Sequence, residues 1–185
     1  MFIQTEQTPN PATLKFLPGK EVLGDSTANF SSAEAAAVSP LAAKLFEIDG
    51  VEGVFFGSDF ISVTKGDGDW AELKPQILGT IMEHFTSGAP IMVESRAESA
   101  ADGPADNEED AEIIEQIKEL LDTRVRPAVA RDGGDIAYHG FDKGVVYLKM
   151  QGACSGCPSS VATLKHGIEN LLRHYVPEVT EVRAV

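Results

Sequence analysis

The chain has 185 residues and carries 15 basic against 29 acidic side chains, which gives a formal net charge of -14 at pH 7. This charge repels phosphate backbones and anionic membrane surfaces, so we expect neither nucleic-acid binding nor membrane association. No apolar run approaches the roughly 18 to 20 residues that a transmembrane helix needs, and the length is sufficient for two small domains.

The first half of the chain predicts a small α+β domain. Two short extended segments come first, FIQTEQ and ATLKFLPG, interrupted by prolines that lack a backbone N–H. The segment SPLAAKLFEIDG predicts a short helix with Ser39 as its N-cap, Pro40 at the first helical position and Gly50 beyond its end.

Three further elements complete this half. GVFFGSDFISVTKG predicts a hairpin with its turn at Gly57, Ser58 and Asp59. DWAELKPQILGTIMEHF has apolar residues at helical spacing, so one face of this helix should pack on the hairpin, and IMVES is predicted as a last strand. The apolar face of the helix consists of Trp70, Leu73, Ile77, Ile81 and Phe85.

An acidic segment separates the two halves of the chain. Residues 94–112 contain eight carboxylates and one arginine, together with Gly103 and Pro104. A segment of this composition cannot bury enough apolar surface to become ordered, so we predict a flexible, self-repelling linker. The predicted organisation is a domain at residues 1–95, a linker at 96–109 and a second domain at 110–185.

The second half predicts the order α-β-β-α-β, an α+β domain with a three-stranded sheet. Its first helix should be kinked or restarted at Pro127 and should end at Gly133 and Gly134, which are expected to supply positive φ. IAYHGFDKGVVYLKM alternates as a hairpin, a second helix begins at Pro158, and EVTEVRAV closes the domain as a strand. The apolar stripe of the second helix is Val161, Leu164, Ile168, Leu171, Leu172 and Tyr175.

The two cysteines of the chain, Cys154 and Cys157, lie in QGACSGCPSS, just before the second helix. Because Cys157 precedes Pro158, we expect the positive end of the helix dipole to lower the thiol pKa at this position. Soft sulfur ligands favour an iron–sulfur cluster, zinc or a cuprous ion. Such sites usually need four sulfurs, so a second copy related by a twofold axis would supply the other two. Residues 113–185 carry nine acids and nine bases, which permits this association.

From the residues alone, other uses of the cysteine pair remain open. Thioredoxin-like oxidoreductases also place CxxC at a helix N-terminus, although here Pro158 follows the second cysteine and the order of elements does not build that fold. Zinc bridging of two chains is a further alternative. The remaining candidate ligands are scattered and are not expected to bind a metal: His84, His139, His166 and His174.

Several stretches resemble a known family. RPAVARDGGDI, GVVYLKMQGACSGCPSSVATLKHGIENLL and the terminal PEVTEV closely resemble the NifU C-terminal domain, the Nfu-type iron–sulfur module, over residues 110–185. The first 95 residues, with QTPNPATLKF, GVFFGSDFISVTK and WAELKPQI, look like the N-terminal domain of the longer Nfu proteins.

The resemblance implies a non-catalytic carrier or scaffold for iron–sulfur clusters. Cys154 and Cys157 of two subunits would share a [4Fe-4S] cluster, making a homodimer that receives the cluster from an upstream donor and hands it to client apoproteins. The first residues lack the basic and apolar regions of a signal peptide and the arginines of a transit peptide. We therefore expect a bacterial cytoplasmic protein, or a mature protein of the mitochondrial matrix.

Overall fold

The structure is a computed structural model that describes residues 2–93, 108–154 and 158–185. The chain divides into two compact units, Met1–Ala97 and Glu98–Val185. Each unit combines helices with its own sheet, which confirms the predicted α+β class. The predicted linker at residues 96–109 lies almost entirely outside the described residues, so its flexibility stays a prediction.

The N-terminal unit is built on a five-stranded antiparallel sheet with the order β1-β2-β5-β4-β3. The predicted extended segments form its first two strands, and the predicted hairpin forms two adjacent strands, with Gly57 donating to the carbonyl of Phe60 across the turn. The strands are β1 (Gln4–Gln7), β2 (Thr13–Leu17), β3 (Ala28–Phe30), β4 (Val51–Phe56) and β5 (Ile61–Lys65).

Two helices pack on this sheet, α1 (Pro40–Phe46) and α2 (Trp70–Ser87). Ser39 caps α1 as predicted, because its hydroxyl oxygen accepts a hydrogen bond from the Ala42 N–H. The predicted apolar face of α2 enters the core: its three central members are buried and its two end members are partly buried. A short 3-10 helix at Ala35–Val38 precedes α1.

Two predictions for this unit were wrong. IMVES was predicted as a strand, but residues 91–93 do not form one. The Val93 N–H instead donates a single hydrogen bond to the carbonyl of Val38. Glu94 and Ser95 lie outside the described residues. The strand β3 was not predicted, because three residues are too few to show alternation; its pairing with β4 comes from the rest of the fold.

The C-terminal unit has the predicted order α-β-β-α-β. Its sheet has the order β6-β7-β8, with β6 antiparallel and β8 parallel to the central strand β7. A 3-10 turn at Glu108–Asp110 precedes the first helix. The elements are α3 (Ala111–Leu120), a π-helical turn (Leu121–Val125), α4 (Arg126–Arg131), β6 (Gly134–Asp142), β7 (Val145–Gly152), α5 (Pro158–Tyr175) and β8 (Glu181–Ala184).

One prediction for the helices of this unit is confirmed and another is wrong. Pro127 restarts the helix as predicted, since the π-helical turn ends just before α4. On α5, Ile168 and Leu172 are fully packed in the core, but Tyr175 was wrongly placed on the buried stripe. Tyr175 is 46% exposed, and the guanidinium carbon of Arg124 lies 5.0 Å from the centre of its ring. This cation–π contact is compatible with exposure to water.

None of the helices in the described parts of the chain combines the length and apolar character needed to cross a bilayer.

Candidate metal centre

The candidate centre lies where β7 gives way to α5. The strand ends at Gly152, Ala153 and Cys154 form a turn, and α5 begins at Pro158 as predicted. Cys157 lies outside the described residues, together with Ser155 and Gly156, so the predicted position of its sulfur beside the helix N-terminus stays a prediction. The structure therefore describes one of the two predicted ligands, Cys154.

The Cys154 side chain is buried. It is 5% exposed and belongs to the hydrophobic core cluster of the C-terminal unit, with Ala153 also buried beside it in sequence. A free cysteine behaves as a small apolar side chain in such surroundings. The sulfur is thus held by the core as well as by the loop.

The turn between α4 and β6 shapes the space that the sulfur occupies. The Ala153 N–H donates to the carbonyl of Gly133 at 3.1 Å, and Gly134 pairs with Gly152 at the start of the β6–β7 ladder. An ideal β-carbon on Gly134 would lie 2.4 Å from Cys154 Sγ, and 2.9 Å from the backbone nitrogen of the same residue. Real β-carbons do not approach other atoms so closely, so the sulfur fits only because residue 134 has no side chain.

This contact corrects the role predicted for one glycine. Both glycines of the turn were expected to supply positive φ, and Gly133 does so, with φ 79°. Gly134 is instead an extended residue of β6, and the reason for glycine there is the close approach of Cys154. The sequence could not reveal this, since the two residues are brought together by strand pairing.

The surroundings of Cys154 disfavour its thiolate. Burial, followed by the nearby carboxylates of Asp132 and Asp135, raises the pKa of Cys154 from 9.0 to about 12. The lowered thiol pKa was predicted from the position of Cys157, which lies outside the described residues, and stays a prediction. At neutral pH the thiol keeps its proton until a metal displaces it.

An ion pair with a buried carboxylate lies beside the turn between α4 and β6. Arg126 holds Asp135 through two hydrogen bonds, from Nε to Oδ1 at 2.9 Å and from Nη2 to Oδ2 at 3.1 Å. The Asp135 side chain is 6% exposed, and its Oδ1 also accepts the N–H of Ile136 at 2.8 Å. A third bond runs from Arg126 Nη1 to Asp122 Oδ1 at 3.1 Å. These hydrogen bonds, with the Asp135 bond first, raise the pKa of Arg126.

Sequence reasoning missed this pair. Arg126, Asp132 and Asp135 were not singled out as an interacting group. The spacing of Asp122 and Arg126, four residues apart on a helix, was a visible signal for their contact. No comparable signal linked Arg126 to Asp135, because the turn between them determines how they meet.

The histidines do not join the centre. His84 belongs to the other unit, where it is fully buried in α2, and His166 is exposed on α5. Within residues 2–93, 108–154 and 158–185, no group of three or more histidine, cysteine, aspartate or glutamate side chains is placed to hold a metal ion. These parts of a single chain do not form a complete site.

Two family models match the chain, one in each unit. Residues 3–88 match the family described as "Scaffold protein Nfu/NifU N terminal", and residues 117–183 match the "NifU-like domain". The solution structure of a NifU-like protein from Saccharomyces cerevisiae is similar to 51% of the chain and 87% of its own, with 26% identity and a TM-score of 0.47.

Two curated relatives match the chain along its whole length. The first, from Homo sapiens, bears the name "NFU1 iron-sulfur cluster scaffold homolog, mitochondrial"; it is 54% identical over 100% of the chain and 72% of its own length. The second, "NifU-like protein 4, mitochondrial" from Arabidopsis thaliana, is 55% identical over 98% of the chain and 65% of its own length. Neither name denotes an enzyme. The chain belongs to the family of Nfu-type NifU-like proteins, in the long form that carries both domains.

Proposed function

We propose that the protein is a non-enzymatic iron–sulfur cluster scaffold that holds a [4Fe-4S] cluster between two copies of the chain and transfers it to client apoproteins. The observation that carries this proposal is the 54% identity, over the whole chain, to the human protein named "NFU1 iron-sulfur cluster scaffold homolog, mitochondrial". Cys154, in the turn between β7 and α5, supplies the soft sulfur that a cluster requires.

Two copies are required by the number of sulfur ligands. The chain contains two cysteines, and a cluster with cysteine ligands takes four. A twofold axis would bring two identical Cys154–Cys157 loops together, and this is the commonest arrangement of homo-oligomers. The equal numbers of acids and bases in residues 113–185 leave no net repulsion between the two C-terminal domains.

Binding of the cluster requires the Cys154 sulfur to become accessible. The sulfur is buried, whereas a cluster shared by two chains must lie at the surface of each. The sulfur must also lose its proton to the incoming metal.

Transfer to a client would proceed by exchange of ligands. A client thiolate forms a bond to iron as the bond from Cys154 or Cys157 breaks, so one thiolate replaces another and no electron is transferred. The released thiolate takes a proton from water. An apoprotein with a full set of cysteines binds the cluster more tightly than two half-sets, and this difference gives the transfer its direction.

Reconstitution without oxygen tests the proposal. The chain is incubated with ferric iron, sulfide and excess dithiothreitol, which reduces part of the iron to the mixed-valence state of the cluster, and its visible absorbance, iron and sulfide content and native mass are measured. We expect a brown dimer with one cluster, identified as [4Fe-4S] by Mössbauer spectroscopy, and neither cluster nor dimer in Cys154→Ser or Cys157→Ser. The exposed His166→Ala, on α5, serves as a control that should load normally.

Other results would favour the alternatives. A colourless dimer with one zinc ion would identify a zinc-bridged module, and reduction of a disulfide substrate by the metal-free monomer would identify an oxidoreductase. The burial of Cys154 and its raised pKa argue against the second, because the attacking group in thiol–disulfide exchange is a thiolate. Retention of the cluster by both serine variants would contradict the proposal.

The partners of the protein follow from this chemistry. We propose an upstream donor and client apoproteins with unfilled cysteine sites, in a compartment that keeps thiols reduced, the bacterial cytoplasm or the mitochondrial matrix. Both curated relatives described above carry the word mitochondrial in their names. Incubation of the loaded dimer with an apo-ferredoxin should move the visible absorbance to the client, as separation of the two proteins on a sizing column would reveal.

A further inference from the structure

We infer that Arg126 is a positioning residue for Cys154, acting through Asp135, and that it governs how long the chain retains an iron–sulfur cluster. The inference rests on the proposed function for the cluster, but its structural basis is independent of it. A continuous set of contacts leads from the Arg126 guanidinium to the Cys154 sulfur, and every residue in it is described by the structure.

The first link is the ion pair itself. Two parallel N–H bonds from Arg126 fix the plane of the Asp135 carboxylate, and the bond from the Ile136 N–H fixes that carboxylate to the backbone of β6. Arg126 is the first residue of α4 and Asp135 is the second residue of β6, so the pair links the start of the helix to the start of the strand. The positions of Gly133 and Gly134 are thereby fixed.

The second link joins that turn to the cysteine. Gly133 accepts the Ala153 N–H, Gly134 pairs with Gly152, and the α-carbon of Gly134 forms the surface against which Cys154 Sγ lies. A displacement of residues 133–135 therefore changes the support of the sulfur directly.

The third link is electrostatic. Asp132 and Asp135 oppose negative charge at Cys154, and a cluster held by four thiolates is itself anionic. Arg126 offsets the charge of Asp135, which is 6% exposed and so weakly screened by water. Without Arg126, the carboxylate would repel the thiolate and the cluster. In a symmetric dimer this effect would occur twice.

Four variants of the full-length chain test the inference: Arg126→Met, Arg126→Lys, Asp135→Asn and the double variant Arg126→Met with Asp135→Asn. Arg124→Met is the matched control, because Arg124 lies on the same turn and contacts the Tyr175 ring. Each protein is loaded anaerobically. The rate of iron release to 2,2′-bipyridyl and the visible circular dichroism of the cluster are then measured, the latter because it depends on the geometry of the sulfur ligands.

We expect Arg126→Met to release iron at least about tenfold faster than the wild type and to alter the visible circular dichroism, as loss of a residue that orients a metal ligand typically does. Arg126→Lys should release iron at an intermediate rate, since lysine keeps the positive charge but cannot make the two parallel hydrogen bonds of the guanidinium. The double variant should release iron more slowly than Arg126→Met, because the negative charge of Asp135 is gone. Effects of the two single substitutions that simply add, or an Arg126→Met protein identical to Arg124→Met, would overturn the inference.

A measurement without any cluster separates this inference from the proposed function. In the metal-free protein, the Ala153 N–H, which donates to the carbonyl of Gly133, should exchange with deuterium about tenfold faster on Arg126→Met and at an unchanged rate on Arg124→Met. If the wild type never acquires a cluster, the proposed function fails, and these exchange rates alone decide the role of Arg126. Should Arg126→Met fail to fold, as thermal unfolding would show, Arg126→Lys and Asp135→Asn provide the same comparison.

Discussion

Gly134 and Cys154 are so close that a single added carbon on the glycine would lie 2.4 Å from the sulfur. Strand pairing produces this contact: β6 and β7 meet at Gly134 and Gly152, and the chain turns back within two residues to place Cys154 against the first of them. Cys154 is therefore part of the packing of its own domain, and its motion is coupled to that packing.

Gly134→Ala should displace Cys154 and destabilise the C-terminal unit by about 1 to 3 kcal/mol, the usual range for overpacking a core. Calorimetric unfolding measures the loss, and Cys154 should react faster with N-ethylmaleimide in a Cys157→Ser background. Gly167→Ala is the control, since a β-carbon at this exposed position of α5 meets nothing within 4 Å. It should stabilise the helix by about 0.5 to 1 kcal/mol. Equal effects of the two substitutions would contradict the packing described for Gly134.

Burial of Cys154 predicts that the stability of the C-terminal unit declines in alkali. The folded pKa, about 12, lies above the unfolded value of 9.0. The stabilisation is therefore complete below pH 9 and is lost as the pH rises towards 12. Between pH 8 and 10 the loss should be about 1.4 kcal/mol. Calorimetry of Cys157→Ser measures it, and Cys154→Ala in the same background should lack this component. A parallel pH dependence of the two proteins would show that the thiol is not held in its neutral form.

His84 predicts the opposite behaviour in the N-terminal unit. Its ring is fully buried, and within the described residues neither ring nitrogen has a hydrogen-bond partner. Burial, then the positive charge of Lys44, lowers the pKa of His84 from 6.5; the backbone of Pro90 and Ala89 favours the charged form but lacks the geometry to offset burial. Stability should therefore be present above pH 6.5 and decline as the pH falls below it.

The fluorescence of Trp70, the single tryptophan of the chain, reports the unfolding of this unit in urea. His84→Leu should reduce the decline in stability between pH 7 and pH 5. Lys44→Met should reduce it less, because Lys44 contributes the smaller part of the pKa shift. If the wild type and His84→Leu respond identically to acid, protonation of His84 does not contribute to acid sensitivity.

Ser39 makes two hydrogen bonds that a serine-to-alanine change would remove together. Its hydroxyl oxygen caps α1 at the Ala42 N–H, and its O–H donates to the carbonyl of Ile91. Ser39→Ala should lower the stability of the N-terminal unit by about 2 kcal/mol, since it removes a cap and leaves the partly buried carbonyl of Ile91 without its donor. Ser32→Ala removes an exposed cap alone and should have a smaller effect in the same urea titration. A loss of similar size in both would show that the bond to Ile91 contributes nothing.

The elements of the fold were readable because their signals are local. The Ser39 cap, the helix restart at Pro127 and the start of α5 at Pro158 each depend on a few neighbouring residues, and all were predicted. The domain family was recognisable from the residues around Cys154 and Cys157. The missed features are made by residues that lie far apart in the chain. One example is the three-residue strand β3, which forms by pairing with β4.

The sequence proposed the candidate site but did not characterise its surroundings. Two cysteines before a helix indicated the loop after β7, whereas the burial of Cys154 and its raised pKa depend on Gly134, Asp132 and Asp135, which pairing of strands brings near. The same holds for the Arg126–Asp135 pair. Spacing along a chain records which atoms could bind a metal; folding decides how accessible and how charged their surroundings are.

The central strand of the C-terminal sheet gives the loop an unusual foundation. Since β7 is bonded along both edges and leads directly into Ala153 and Cys154, its amide protons should exchange with deuterium later than those of its neighbours, because both flanking strands must detach first. Cys154 is thus attached to the strand of its domain that should open last. We therefore expect a movement of the turn at Ala153 and Cys154 to leave the pairing of β7 intact.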